Sequence, residues 1–327
     1  MLFRSIGSYC IFSFANETFT ADFIDSDNYI RPKIMYVPSE RNLVSVLENV
    51  DETKNLPMML KLLQKEIQRA KREFIPNLME SHRTLSMHKY SIKYDSSRDF
   101  IVITDKNSGV SVPLYMSSSG LQSVIPLIIV TDFLGLEIES SILDKLKKLS
   151  TSEQNVILSK ITNEEFKKNL EIFFTSGLGT ANLEKSIKEF IFAFKKYINM
   201  SFVNIVEEPE QNLFPDYQKR IVESLVSHTN QNFTNQLLIT THSPYVLGVL
   251  NNCIYAGNLT KQGKNCVSVI PLNRQVSVEK VSAYKIEDGK IRSIISADLH
   301  LINNSEIDGC SEIINADYKK LEDIEFS

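Results

Sequence analysis

The chain has 327 residues, 43% of them hydrophobic, which is enough apolar material for one large core or two modest ones. Charged residues make up 23% and the formal net charge is −4, a balance that gives no sign of bulk nucleic-acid binding, so that any basic contact with nucleic acid must be local. The four cysteines, Cys10, Cys253, Cys266 and Cys310, are scattered, with no Cys-x-x-Cys and no histidine at metal-ligand spacing, so they read as reduced thiols.

Residues 9–24 alternate as two short strands around a turn near Asn16. Ile34–Val37 reads as a strand ended by Pro38. Residues 53–74 predict an amphipathic helix, with Leu56, Met59, Leu60, Leu63, Ile67, Ala70 and Phe74 on one stripe. Lys61, Lys65, Arg69 and Arg72 line the opposite face at a spacing that can follow a nucleic-acid backbone. Glu66 and Glu73 sit nearby, and a solvated face is the favoured reading. Residues 88–115 return to strand text, HKYSIKY, DFIVIT and VSVPLYM, separated by polar turns such as Lys106–Gly109. Residues 119–200 read as mostly helical. Two apolar strands follow, SFVNIV and QLLITT, with a helix from Asp216 to about Thr229 between them; such a pattern predicts buried parallel strands. The text from Cys253 onward shows a strand (CVSVIPL), a hairpin turning at Asp288-Gly289, and a polar helix. The longest apolar stretch, Leu121–Leu136, is interrupted by Gln122, Ser123, Pro126, Thr131 and Asp132, and falls short of the roughly 18 apolar residues that span a bilayer. With no signal-peptide pattern at its N-terminus, the chain reads as soluble and cytoplasmic, with no membrane partner.

Three segments carry chemistry. In SFVNIVEEPEQNLFP a strand ends in the adjacent carboxylates Glu207 and Glu208. Ligands collect outside the carboxyl ends of parallel strands. Strand alternation points the two side chains apart, so one can serve a magnesium ion while the other orients a water. In QLLITTHSP a second strand ends in Thr240, Thr241 and His242, 35 residues after Glu207, before a helix-starting Ser243-Pro244. Strand–helix–strand spacing puts both ends on one edge of a sheet, where a histidine can donate to a phosphate. In Ser117–Gly120, SSSG before a long apolar helix, hydroxyls and backbone N–H groups face a potential anion.

Jointly these segments resemble the Walker B, D-loop and His-switch region, and the signature motif (Ser117-Ser118-Ser119-Gly120-Leu121-Gln122), of ABC-type ATPases of the SMC and OLD-like classes. Tyr36-Val37-Pro38-Ser39-Glu40-Arg41 and the Ala283-Tyr284…Asp288-Gly289 hairpin resemble the prokaryotic OLD-like branch. The resemblance covers roughly 30–300, the helical part at 131–200 only in kind. It implies an α/β, P-loop NTPase type of head with an antiparallel β subdomain, a mixed or parallel core sheet and a helical insertion. Glu207 would act on Mg2+, Glu208 as general base or water-positioning group, and His242 on the γ-phosphate. Ser118, Ser119, Gly120 and Gln122 would face ATP held by a second head, in a head-to-head dimer or with another ATPase chain. Such heads work in prokaryotic defence or DNA processing beside a nuclease or toxin partner. The implied division is an N-terminal lobe with β subdomain over 1–115, signature and helical subdomain over 116–200, and Walker B lobe, hairpin and helix over 201–327.

Three departures stand out. Phe214 occupies the place after the D-loop leucine where Asp or His is usual, and no Gln-loop precedes the signature. No G-x-x-x-x-G-K-[ST] occurs: Gly263-Lys264 is followed by Asn265 and Gly289-Lys290 by Ile291. The chain reads as starting after that loop. At about 1.5–3 kcal/mol per charge-assisted bond, losing about four bonds removes at least ~6 kcal/mol, some 10⁴ in affinity. The alternative reading is therefore a non-catalytic pseudo-ATPase module or a truncated product. An intrinsic nuclease is disfavoured, since no Asp-x-Asp occurs after residue 250 and Asp25-Ser26-Asp27, which has the spacing, lies in a polar loop.

Overall fold

The computed structural model describes residues 3–6, 10–15, 18–23, 30–47, 56–73, 89–140, 142–177, 183, 186 and 197–325. Strands β1 (Phe3–Ile6), β2 (Cys10–Ala15), β3 (Thr18–Phe23) and β4 (Pro32–Val37) come first. A 3-10 turn (Ser39–Asn42), helices α1 (Leu43–Val46) and α2 (Met58–Glu73), and strands β5 (Tyr90–Asp95), β6 (Phe100–Asp105) and β7 (Ser111–Pro113) follow. Next come helices α3 (Ser119–Glu139), α4 (Ile142–Lys147), α5 (Thr151–Lys160) and α6 (Glu164–Ser176), then β8 (Ser201–Glu207), α7 (Pro215–Asn230), β9 (Gln236–Thr240) and α8 (Pro244–Lys261). The hairpin β10 (Tyr284–Glu287) and β11 (Lys290–Ser293) and helix α9 (Ser305–Glu325) close the described chain.

The chain divides into two units, Met1–Lys33 with Leu136–Phe202, and Ile34–Gly135 with Val203–Ser327. In the first, β1, β2 and β3 form an antiparallel sheet in that order, Phe14 opposite Phe19. The sequence pattern anticipated β2 and β3 but not β1; the turn at Asn16 and the Asp25-Ser26-Asp27 segment lie outside the described residues. The helices of this unit close over Leu146, Ile157, Ile161, Phe166, Leu170 and Phe173. Ser150 and Glu153 form a capping box that starts α5, and Asn163 caps α6. Most of the helical text expected over 183–198 lies outside the described residues.

The second unit carries the sheet β4-β8-β9 and the antiparallel meander β5-β6-β7. β8 runs parallel to β9, from Val203 opposite Gln236 to Glu207 opposite Thr240, and α7 makes the crossover. β8 is buried as its apolar text predicts, but β9 is not: Leu238 is 52% exposed. β9 ends the strand order, so among the described residues it has one hydrogen-bonded strand neighbour, and alternation turns Leu238 outward. The strand expected at CVSVIPL does not form. Cys253 lies inside α8, and Cys266–Ile270 is a turn in which the Val269 and Ile270 N–H groups both donate to the Cys266 carbonyl. Its alternating valines had no sheet to join, and Val267 and Val269 point to solvent. The Asp288-Gly289 turn forms as read, both residues at positive φ (50° and 71°), which suits a two-residue hairpin turn.

α3 is long and apolar enough to pass as a membrane span by composition, yet 72% of that window is buried within the protein. It is a core helix whose polar residues have partners: Thr131 accepts from the Asn204 amide, and Asp132 pairs with His228 at 2.6 Å. Pro126 has no N–H for the carbonyl four residues back, and the Ser45 hydroxyl donates to that Gln122 oxygen instead, at 2.7 Å. The basic stripe of α2 is not an open row, because Arg69 bonds Glu66 and lies 5.0 Å over the Phe133 ring.

Candidate active site

The parallel pairing of β8 and β9 brings Glu207, Glu208 and His242 to one edge of the sheet, because both strands end there. Strand geometry ends at Glu207, and Glu208 turns off it with φ of 42°, a left-handed conformation rare for a residue bearing a side chain. Its N–H donates to the Thr240 carbonyl, the last link between the two strand ends. From there the Glu208 carboxylate reaches the His242 ring, Oε1 lying 3.8 Å from Nε2. The ring is 89% exposed and the carboxylate 37%. The separation exceeds a direct hydrogen bond, but two polar atoms 3.8 Å apart can each lie about 2.8 Å from one shared oxygen, of water or phosphate.

Glu207 is held differently. It accepts the Ser39 N–H at 3.3 Å and the Tyr36 hydroxyl. That hydrogen bond, with burial and the carboxylate's charge, pushes the Tyr36 phenol up to about 12. Among the described residues no three His, Cys, Asp or Glu side chains converge as a metal cage. Magnesium does not need one: it keeps waters and phosphate oxygens beside one or two carboxylates, and this donor set fits it. For ATP the fit is partial, since the sequence holds no Gly-Lys-Ser/Thr loop to cradle the phosphates.

Sequence alone gives no role to Glu210, the third acid of the run. Its Oε1 accepts the Thr241 hydroxyl at 2.7 Å and the His242 N–H at 2.8 Å, so it sets the backbone from which His242 projects. Thr241 Oγ1 in turn accepts the Ser243 N–H, and the Ser243 hydroxyl donates to Gln218 of α7. Gln218 also donates to the Leu213 carbonyl, tying the loop after the acidic run to the start of α8. No local sequence signal marks these partners, since they come from separate elements.

The Ser-rich turn lies beside this loop. Ser118 caps α3, its hydroxyl accepting the Leu121 N–H, while Ser118 and Ser119 are exposed. The Gln122 amide donates back to the Tyr115 and Ser117 carbonyls, inside its own turn. A Cβ on Gly120 would sit 2.7 Å from the Asn212 carbonyl oxygen, so only glycine allows the turn to approach the loop that follows the acidic pair. Phe214, at the end of that loop, is 77% exposed.

Residues 132–247 match the family model described as an AAA ATPase domain, a span holding the C-terminal end of α3, both strand ends and His242. This segment is similar to AAA-type ATPase domains. A stretch of 138 residues is 36% identical to Endonuclease GajA of Bacillus cereus (strain HuB5-5), covering 37% of this chain and 19% of that protein. The matched chain thus spans about a fifth of its relative's length. The two similarities bear out the resemblance to AAA-family, OLD-like ATPases. The Tyr36–Arg41 segment and the Ser117–Gln122 turn precede the domain match, so their place in the site rests on geometry.

Proposed function

We propose that this chain provides the water-orienting and metal-binding face of an ABC-type ATPase site, in a head-to-head dimer. The observation that carries it is the 3.8 Å approach of Glu208 to His242 at the ends of two parallel strands, within the AAA-type segment. Glu208 holds and deprotonates a water, and His242 donates to the terminal phosphate. Glu207, steadied by Tyr36 and Ser39, holds Mg2+, which when bound neutralises charge on the phosphates. Ser118, Ser119, Gly120 and Gln122 form the surface offered to ATP on the other head. The blocks 1–115, 116–200 and 201–327 are the lobes of that head. The proposed setting is the cytoplasm, in prokaryotic defence or DNA processing beside a nuclease; the relative's name as an endonuclease supports the nuclease link.

The second reading is a module that keeps the fold without binding nucleotide. Mg·ATP titration separates them, on the chain as it stands and on a version extended by a strand and Gly-Lys-Ser/Thr loop. The ATPase reading expects saturable binding and turnover in the extended version. Glu208→Gln there should bind ATP but lose about 10²–10⁴ in turnover, the usual worth of a general base. Unchanged turnover removes Glu208 from the mechanism; no binding in the extended, folded protein leaves the module reading.

A further inference from the structure

Arg41 is completely buried, at 0% exposure, in the 3-10 turn after β4. A buried guanidinium is a costly way to fill space. Every hydrogen bond it makes goes to a main-chain carbonyl. Nε donates to Ser123 of α3 at 3.0 Å; one terminal nitrogen donates to Pro38 at 3.2 Å and Glu207 at 2.7 Å; the other donates to Glu208 at 2.8 Å. The Glu207 carbonyl belongs to the peptide plane before the Glu208 Cα, and the Glu208 carbonyl to the plane after it. Those two planes define φ and ψ of Glu208, so one rigid fork holds the left-handed backbone that aims the Glu208 side chain.

The third arm reaches the helix that the Ser-rich turn begins. Ser123 lies within the first turns of α3, where Pro126 has already opened the helical ladder. Burial pushes the Arg41 guanidinium down to about 10, against the pull of Glu210, Glu208 and Glu207, in that order. It stays charged at neutral pH, with the acidic run as its counter-charge.

We infer that Arg41 is a positioning residue: its fork sets the direction of the Glu208 carboxylate and ties that direction to the helix behind the Ser117–Gly120 turn. The inference rests on the reading of Glu208 as the water-orienting group. A lysine keeps the charge but lacks the planar fork, so it cannot hold both planes and α3 at once.

The test uses the full chain with Arg41→Lys, checked for native circular dichroism, and amide hydrogen exchange. The Gln211 N–H donates to the Glu208 carbonyl and the Leu213 N–H to the Glu210 carbonyl. These amides, with Gln122 in α3, should exchange at least about tenfold faster, while the β10–β11 amides stay unchanged. Exchange within twofold of wild type at all three overturns the inference. Arg41→Gln, which drops the charge and keeps an NH2 donor, serves if the lysine variant does not fold. If neither folds, Arg41 is a folding determinant and the positioning role is overturned. In the loop-extended protein, Arg41→Lys should lower kcat at least tenfold with KM for Mg·ATP within twofold; a change in KM alone contradicts the role. A wild-type extended protein without turnover defeats the ATPase reading, a result distinct from the exchange outcome.

Discussion

Replacing Glu210 by alanine tests how the His242 backbone is held. Glu210 Oε1 accepts both the Thr241 hydroxyl and the His242 N–H, at 2.7 and 2.8 Å. A hydrogen bond to a charged acceptor contributes about 1.5–3 kcal/mol, and each 1.4 kcal/mol is a factor of about ten. Removing the carboxylate should therefore speed exchange of the His242 amide by roughly 10- to 100-fold. The Ser243 amide should follow more weakly, since it bonds to Thr241 Oγ1, which Glu210 orients. Glu210→Gln keeps an acceptor oxygen but no charge, and should fall between wild type and alanine. Glu210 is also the strongest of the three carboxylates supporting the Arg41 charge. The loss should therefore spread to the Gln211 and Leu213 amides. Exchange followed by mass spectrometry on wild type and both variants reads each site. His242 and Ser243 amides unchanged within twofold in Glu210→Ala would refute the assignment.

Three further outcomes follow from the geometry. Gly120→Ala should destabilise by about 1–3 kcal/mol in urea unfolding, because its Cβ meets a backbone oxygen at 2.7 Å; helix propensity alone would give a gain of about 1 kcal/mol, so the sign decides. Ser45→Ala should cost about 1–3 kcal/mol by stranding the Gln122 carbonyl, and almost nothing in a Pro126→Ala background, where the new N–H takes that carbonyl; an unchanged cost in the double mutant contradicts the pairing. Glu306 lies below the usual glutamate range because it accepts from Arg292, with Lys285 adding to the pull. Its pKa is depressed on folding, so its contribution is full above the unfolded value and is lost as pH falls through the folded one. Protection of the β10–β11 amides, taken relative to the intrinsic exchange rate at each pH, should fall in that acid window, and Glu306→Gln should flatten the response; pH-independent protection would count against this ion pair anchoring the hairpin.

The parts of the site legible in the sequence are those set by one strand and its end. β8 and β9 announce themselves by short apolar runs, and a strand–helix–strand spacing places Glu208 and His242 at the same edge. The Asp288-Gly289 turn is legible for the same local reason, since few other pairs tolerate positive φ twice. What escaped depends on partners distant in the chain. Arg41 follows a proline and a glutamate in polar text, and composition alone would put it in water; its acceptors come from three separate segments. CVSVIPL failed in the opposite way, its alternation being a necessary condition for a strand but not a sufficient one.

The Ser-rich turn and the acidic pair are joined within one chain by two contacts that do not share an atom. Gly120 packs against the Asn212 carbonyl, and Arg41 binds Ser123 with one nitrogen while its terminal nitrogens hold Glu207 and Glu208. A push on the exposed Ser118 and Ser119 hydroxyls therefore has a route to the loop after Glu208 and a second route to Glu208 itself. A flexible link would absorb such a push. Close backbone packing at a glycine and a planar fork held in four hydrogen bonds have little slack. If the surface of another head presses on this turn, the strain reaches the carboxylate that faces His242. Gly120→Ala and Arg41→Lys should disturb that link from opposite ends, and because the contacts meet in one loop, their effects on Gln211 and Leu213 exchange should be less than additive. Full additivity would mean that the routes act independently and that the turn and the carboxylate are neighbours without being coupled.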